Sequence, residues 1–165
     1  MRLLGLDPGL RHTGWGIVDA EGNRLRHIAS GRIDSGDGTI AERLVRLYDG
    51  VTEVIERFSP DEAAVEETYV NKNPSSTLKL GLARGAVILA PARAGLTVAE
   101  YSPSLIKKSV VGSGHAEKEQ VGRMVRMLLP GAEPSSADAA DALAIAICHA
   151  HHAATRRAVM AGAIA

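Results

Sequence analysis

The first third of the chain reads as three extended segments joined by turns, after which strand and helix patterns alternate. RLLGLD (2–7) is a short apolar run closed by the turn signal Asp7-Pro8-Gly9, the mark of a buried strand. HTGWGIVD (12–19) predicts a second strand, AEGN (20–23) a hairpin turn, and LRHIASGRI (25–33) a third, less regular strand expected at an edge. Thr39-Ile40-Ala41-Glu42 is a capping box. Ile40, Leu44, Leu47, Val51, Val54, Ile55 and Phe58 follow at helical spacing, predicting one inward face before Ser59-Pro60 stops the helix. DEAAVEE (61–67) predicts a fourth strand that ends in Glu66 and Glu67, followed by the polar loop TYVNKNPSS (68–76). LKLGLARGAVILA (78–90) predicts a helix ended by Pro91, and LTVAEY (96–101) a fifth strand. SLIKKSVVG (104–112) and AEKEQVGRMVRMLLP (116–130) predict two more helices, the second with Val121, Met124, Val125 and Leu128 inward. A last helix opens in SADAADALAIA (136–146) and is expected to run to about residue 152, with the tail TRRAVMAGAIA fraying.

Hairpin-linked strands followed by strand–helix alternation predict an α/β fold: a mixed five-stranded sheet with helices on both faces. At 165 residues and 45% hydrophobic content, the expectation is one domain over residues 1–152 and a flexible tail over 153–165. No apolar run reaches transmembrane length, and MRLLGLDPG is not a signal peptide. Cys148, alone of its kind, cannot form an internal disulfide and reads as a small space-filling residue. These features predict a cytoplasmic protein.

In such a sheet, ligands gather at the carboxyl ends of the parallel strands. Asp7 and Glu66 both stand at predicted carboxyl ends, side by side if the first and fourth strands pair. Asp138 and Asp141 lie three residues apart, so they share one helix face. Alone, that pair admits two readings. Acids favour the first turn of a helix, where Ser135 and Ser136 are also cap candidates; or the pair is part of a metal or acid/base site. Four clustered acids would raise one another's pKa unless a cation intervened. Hard ions such as Mg²⁺ prefer oxygen ligands, and two of them about 3.5–4 Å apart can activate water and stabilise a leaving oxygen. No Cys/His spacing fits structural zinc. GLDPGLRHTGWG does not match the dinucleotide-binding glycine pattern.

Zero net charge argues against a generic polycation, but the charges are segregated. Residues 1–67 hold 8 basic and 13 acidic side chains, residues 68–132 hold 9 and 3, and residues 133–165 hold 2 and 3. A basic middle permits a local positive surface. Tyr69, in a chain with 1 Trp, 3 Tyr and 1 Phe, sits in the loop after Glu66, where an exposed ring can stack on bases. Lys72 and Asn73 share that loop and can meet phosphates or base edges. Lys107, Lys108 and Lys118 flank VVGSGHAE, a glycine loop leading into a helix start, which suits phosphate. Gly81, Ala83, Gly85 and Ala86 would let a second helix approach closely. The histidines of CHAHH (148–152) read as structural or solvated.

LGLDPGLRHTGWGIVD, VEETYVNKNPSSTLKLGLARG, KKSVVGSGHAEKEQV and ADAADALAIAICHAHH resemble, in order and spacing, the RuvC family of bacterial Holliday-junction resolvases, over roughly residues 2–152. The resemblance implies an RNase H-like fold, a homodimer, and Mg²⁺-dependent symmetric nicking of four-way DNA junctions in recombination and repair. It implies that Asp7, Glu66, Asp138 and Asp141 are the catalytic, metal-holding acids, with two Mg²⁺ ions per site and Mn²⁺ able to substitute. It also implies DNA contacts through Tyr69, Lys107 and Lys118, and coupling to the branch-migration complex RuvA–RuvB. Metal-activated water attack would leave 5′-phosphate and 3′-hydroxyl ends. Two alternatives stay open at this point: an RNase H-like nuclease acting on RNA, and a non-catalytic junction binder.

Overall fold

The computed structural model describes residues 1–68 and 73–162. The strands are β1 (Arg2–Asp7), β2 (His12–Glu21), β3 (Arg24–Asp34), β4 (Glu62–Glu66) and β5 (Thr97–Tyr101). The helices are α1 (Ile40–Phe58), α2 (Pro74–Arg93), α3 (Pro103–Val111), α4 (Lys118–Leu128) and α5 (Ala137–Gly162). The sheet order is β3-β2-β1-β4-β5, with β1–β2 and β2–β3 antiparallel and β1–β4 and β4–β5 parallel. The expected mixed sheet is therefore present, with β1 at its centre and in parallel contact with β4. Gly22, at φ +57°, takes the left-handed conformation that the β2–β3 turn needs.

Two cores flank the sheet. Leu4, Leu6, Ile17, Ala63 and Val65 pack against Leu47, Val51 and Val54 of α1 and Ala83, Val87 and Ala90 of α2. On the other face Val18, Ala64 and Tyr101 pack against α3, α4 and α5. Alternation along each strand separates the two sets. The capping box of α1 forms as expected, with the Thr39 side chain accepting from Glu42 N and Glu42 accepting from Thr39 N. In α4, Val121 and Val125 are buried while Met124 and Leu128 pack at the margin.

One exposure and three helix boundaries differ from expectation. Ile40 is exposed because it opens α1, before the helix reaches the sheet. α2 begins at Pro74, four residues early, because Asn73 caps it: its side-chain oxygen accepts from Ser75 N at 3.0 Å and Ser76 N at 3.3 Å. Pro91 does not end α2, which continues to Arg93. Its ring is buried, and the N–H it lacks costs one bond in a last turn that ends two residues later. α5 continues through Gly162 instead of stopping near residue 152, since alanines there favour helix and no breaker intervenes.

Candidate active site

Strand alternation decides which side chains reach the carboxyl edge of the sheet. Leu4 and Leu6 face α1 and α2, so Gly5 and Asp7 face α5. Ala63 and Val65 share the α1–α2 face, so Ala64 and Glu66 turn toward α5. Leu6 pairs with Val65 in parallel register, which leaves Asp7 and Glu66 as the next residues on adjacent strands.

α5 reaches this edge because the sheet beneath it is made of glycine. A Cβ on Gly5 would lie 2.8 Å from Ala146 N and closer still to the Ala142 carbonyl oxygen. A Cβ on Gly16 would lie 2.7 Å from the Leu143 side chain, and one on Gly14 would overlap the Asp138 carbonyl group. Gly14 is the cross-strand partner of Asp7, so Asp138 stands directly beside the Asp7 position. Ser136 takes the capping role, its hydroxyl accepting from Ala139 N at 3.1 Å. Asp138 stands in the first turn of α5 with the cap supplied by Ser136, so its carboxylate is not needed as the cap. Asp141, one turn on, lines a cleft with Glu66, Lys107, Lys118, Ile106 and Val121.

The electrostatics follow from this crowding. The Asp7 carboxyl is pushed up to about 7, first by burial and then by the charges of Asp141, Glu66 and Asp138, against a lowering influence from Lys118. Glu66 is raised by burial and by Asp141, with Lys118 and Lys107 opposing. Lys118 Nζ donates to Asp141 Oδ2 at 3.2 Å, and Asp141 raises the lysine pKa in return. Among the described residues no three Asp, Glu, His or Cys side chains converge on one cation position. Glu66 and Asp141 line the cleft, with Asp141 turned to Lys118. The four acids offer an all-oxygen donor set, and their negative charge is only partly offset by Lys118 and Lys107, which suits a hard divalent cation.

A family profile described as "Crossover junction endodeoxyribonuclease RuvC" matches residues 3–149. This chain belongs to the RuvC family. The RuvC of Paramagnetospirillum magneticum is 65% identical over 158 residues, 95% of either chain. That of Rhodospirillum rubrum is 64% identical over 153 residues, 92% of this chain and 90% of the relative. Among solved structures, Thermus thermophilus RuvC in complex with a Holliday junction substrate superposes with a TM-score of 0.87 at 37% identity, covering 94% of this chain and 96% of that one. The yeast mitochondrial Holliday junction resolvase shares the fold, at TM-score 0.64 and 12% identity. The RNase H-like architecture expected from the sequence is thus the one observed.

The structure places most of the other expected site residues. Lys107, half-buried on α3, and Lys118, at the first turn of α4, both line the acidic cleft. Lys108 is exposed and outside its lining. Gln120 turns back to accept from Glu117 N at 2.9 Å, so the start of α4 is partly satisfied by its own side chains. Asn73 spends its side-chain oxygen on capping α2, leaving its amide N–H groups as donors. Tyr69 and Lys72 lie outside the described residues. Two features escaped the sequence reading. Arg84 of α2 pairs with Glu100 and approaches the Glu66 carbonyl at 3.5 Å, bracing the end of β4. His149, fully buried, lies with Nε2 2.9 Å from Glu62 Oε2. Both pairings join residues distant in sequence, and no local spacing signals them.

Proposed function

We propose that this chain resolves four-way DNA junctions by paired phosphodiester hydrolysis, with Asp7, Glu66, Asp138 and Asp141 as catalytic residues holding divalent cations. The observation that carries the proposal is the gathering of four carboxylates at one edge of the sheet, where Glu66, Asp138 and Asp141 crowd a half-buried Asp7 and burial and their charges push its carboxyl up to about 7. Such a cluster is costly without a cation. Mg²⁺ held there, two ions per site with Mn²⁺ able to substitute, would polarise a phosphoryl oxygen and lower the pKa of a water. Asp7, on the central strand with Glu66 on the neighbouring β4 and Asp138 and Asp141 on α5, would hold the ions together with those three acids. A water oxygen attacks phosphorus, the P–O3′ bond breaks, and the ends left are 5′-phosphate and 3′-hydroxyl. Lys107 and Lys118, at the cleft wall, meet the phosphate backbone; Tyr69, Lys72 and Asn73, after Glu66, meet the junction core. Thermus RuvC bound to its junction supports the four-way substrate.

The second half of the proposal is a homodimer through α2. Leu78, Leu82 and Leu89 are 66%, 42% and 51% exposed, and Gly81 and Gly85 face open space. These residues form one apolar stripe at helical spacing, wide enough for a second copy. Two-fold pairing would aim two sites at opposed strands. The remaining elements are a nuclease domain over 1–152 with the tail 153–165, a cytoplasmic location, and hand-over from the branch-migration complex RuvA–RuvB. No helix among the described residues is long and apolar enough to cross a membrane.

The test is a labelled four-way junction with a movable core beside a linear duplex of the same sequence, with and without Mg²⁺. Symmetric nicks in the junction alone, only with metal, are expected. Binding without cutting would refute the catalytic assignment in favour of junction recognition. Cutting of RNA instead would refute the substrate.

A further inference from the structure

The fully buried His149 has no part in the proposed chemistry, yet it joins three elements. Its Nε2 lies 2.9 Å from Glu62 Oε2 on β4. Its Nδ1 lies 2.8 Å from the Tyr101 hydroxyl on β5, and the ring of His152 stacks on Tyr101 at 5.2 Å. The Nε2–Oε2 approach has the distance of an ion pair without the angle of a hydrogen bond, and the Tyr101 hydroxyl is the hydrogen-bond partner at Nδ1. Burying such a group is costly, and a buried polar cluster adds little net stability over apolar side chains of the same volume. What it supplies best is register.

Register is what the site needs from α5. The helix lies on Gly5 and Gly14 through its backbone, with Ala139, Ala142 and Ala146 buried along it, and on Gly16 through Leu143. Along the glycines small side chains interlock weakly, and a polar contact at the far end adds to the register that Leu143, Ile145 and Ile147 set by packing. A slip of one residue would move Asp138 and Asp141 by about 1.5 Å and turn them by about 100°. The two levers match in length. Asp141 to His149 spans about 12 Å of helix, and Glu66 to Glu62 spans about 13 Å of strand. Acids stand at one end of the α5–β4 pair and the Glu62–His149 contact stands at the other.

We propose that His149, clamped by Glu62 and Tyr101, is a positioning residue that sets the register of α5 and thereby the ion-holding geometry of Asp138 and Asp141. This rests on the four-acid reading of the site. The probe is Ca²⁺, titrated calorimetrically into free protein, beside the thermal midpoint of each variant. The double change Glu62→Met/His149→Leu removes both partners and keeps volume. It is expected to hold the midpoint within a few degrees while weakening Ca²⁺ binding about tenfold or more, as loss of groups that orient metal ligands does. An unchanged Ca²⁺ affinity in a folded double variant would overturn the proposal. Should that variant not fold, Glu62→Gln and Tyr101→Phe decide. Weaker Ca²⁺ binding in both, with midpoints preserved, supports the clamp; unchanged binding in both overturns it. Wild-type protein that binds no Ca²⁺, or binds it equally as Asp7→Asn, would instead overturn the four-acid reading, and the clamp with it.

Discussion

Asp7→Asn should stabilise the metal-free protein while abolishing its cutting. An ordinary aspartate ionises near 3.8, and burial with three acidic neighbours holds Asp7 to about 7. Between those values the folded chain binds the proton more tightly than the unfolded chain. Stability therefore falls as pH rises through this window and levels off above it. A shift of about 3 units is worth about 4 kcal/mol at pH 8, where both states are ionised, and about 1 kcal/mol at pH 4.5, where the folded carboxyl keeps its proton. Asparagine is isosteric and neutral at every pH. The variant should thus gain about 4 kcal/mol over wild type at pH 8 and little at pH 4.5, a rise in midpoint on the order of 10 °C for a chain of this size. The assay is thermal and urea unfolding in chelator at the two pH values, with junction binding and cutting followed in parallel. Equal stability of variant and wild type at pH 8, or the same gain at both pH values, would refute the picture of a buried charge among like charges. Junction affinity collapsing with the cutting would refute a purely catalytic role for Asp7.

Removing the Lys118 ammonium takes away the cation opposing the raised pKa of Asp7 and Glu66. Lys118→Met should move the pH window of stability loss upward, tighten divalent-ion binding to free protein, and weaken junction binding, as pH-dependent unfolding, calorimetry and gel shift would report. Gly14→Ala drives a methyl into the main chain of Asp138. A loss of about 1–3 kcal/mol by urea unfolding is expected, with ion affinity falling because α5 lifts at its acidic end. Leu82→Glu places a charge in the exposed apolar stripe of α2. Sedimentation should show a monomer whose unfolding midpoint in dilute solution is unchanged.

Local chemistry made much of this molecule readable, and its failures share one cause. Asp7 and Glu66 could be placed at strand ends because an apolar run followed by a turn is a local pattern. Which face they present is not local: it depends on where Leu4, Leu6, Ala63 and Val65 find α1 and α2. Pro91 looked like a helix stop because propensity counts the lost bond and not the burial of the ring. Gly5, Gly14 and Gly16 read as mere weak points in strands, yet they are the bed on which α5 lies. The lysine expected to await phosphate is held by Asp141, 23 residues away, and His149, read as structural or solvated, is structural through an acid on β4 that no local spacing signals. Residue types thus announced the chemistry. What brings that chemistry to one point is the contact of a helix with a sheet, made through residues that carry no chemistry at all. A substitution on that bed should accordingly cost the site more than an equally destabilising one elsewhere. Gly14→Ala set against Val51→Ala at matched stability makes that comparison, and equal ion affinity in the two would show that the bed is only a bed.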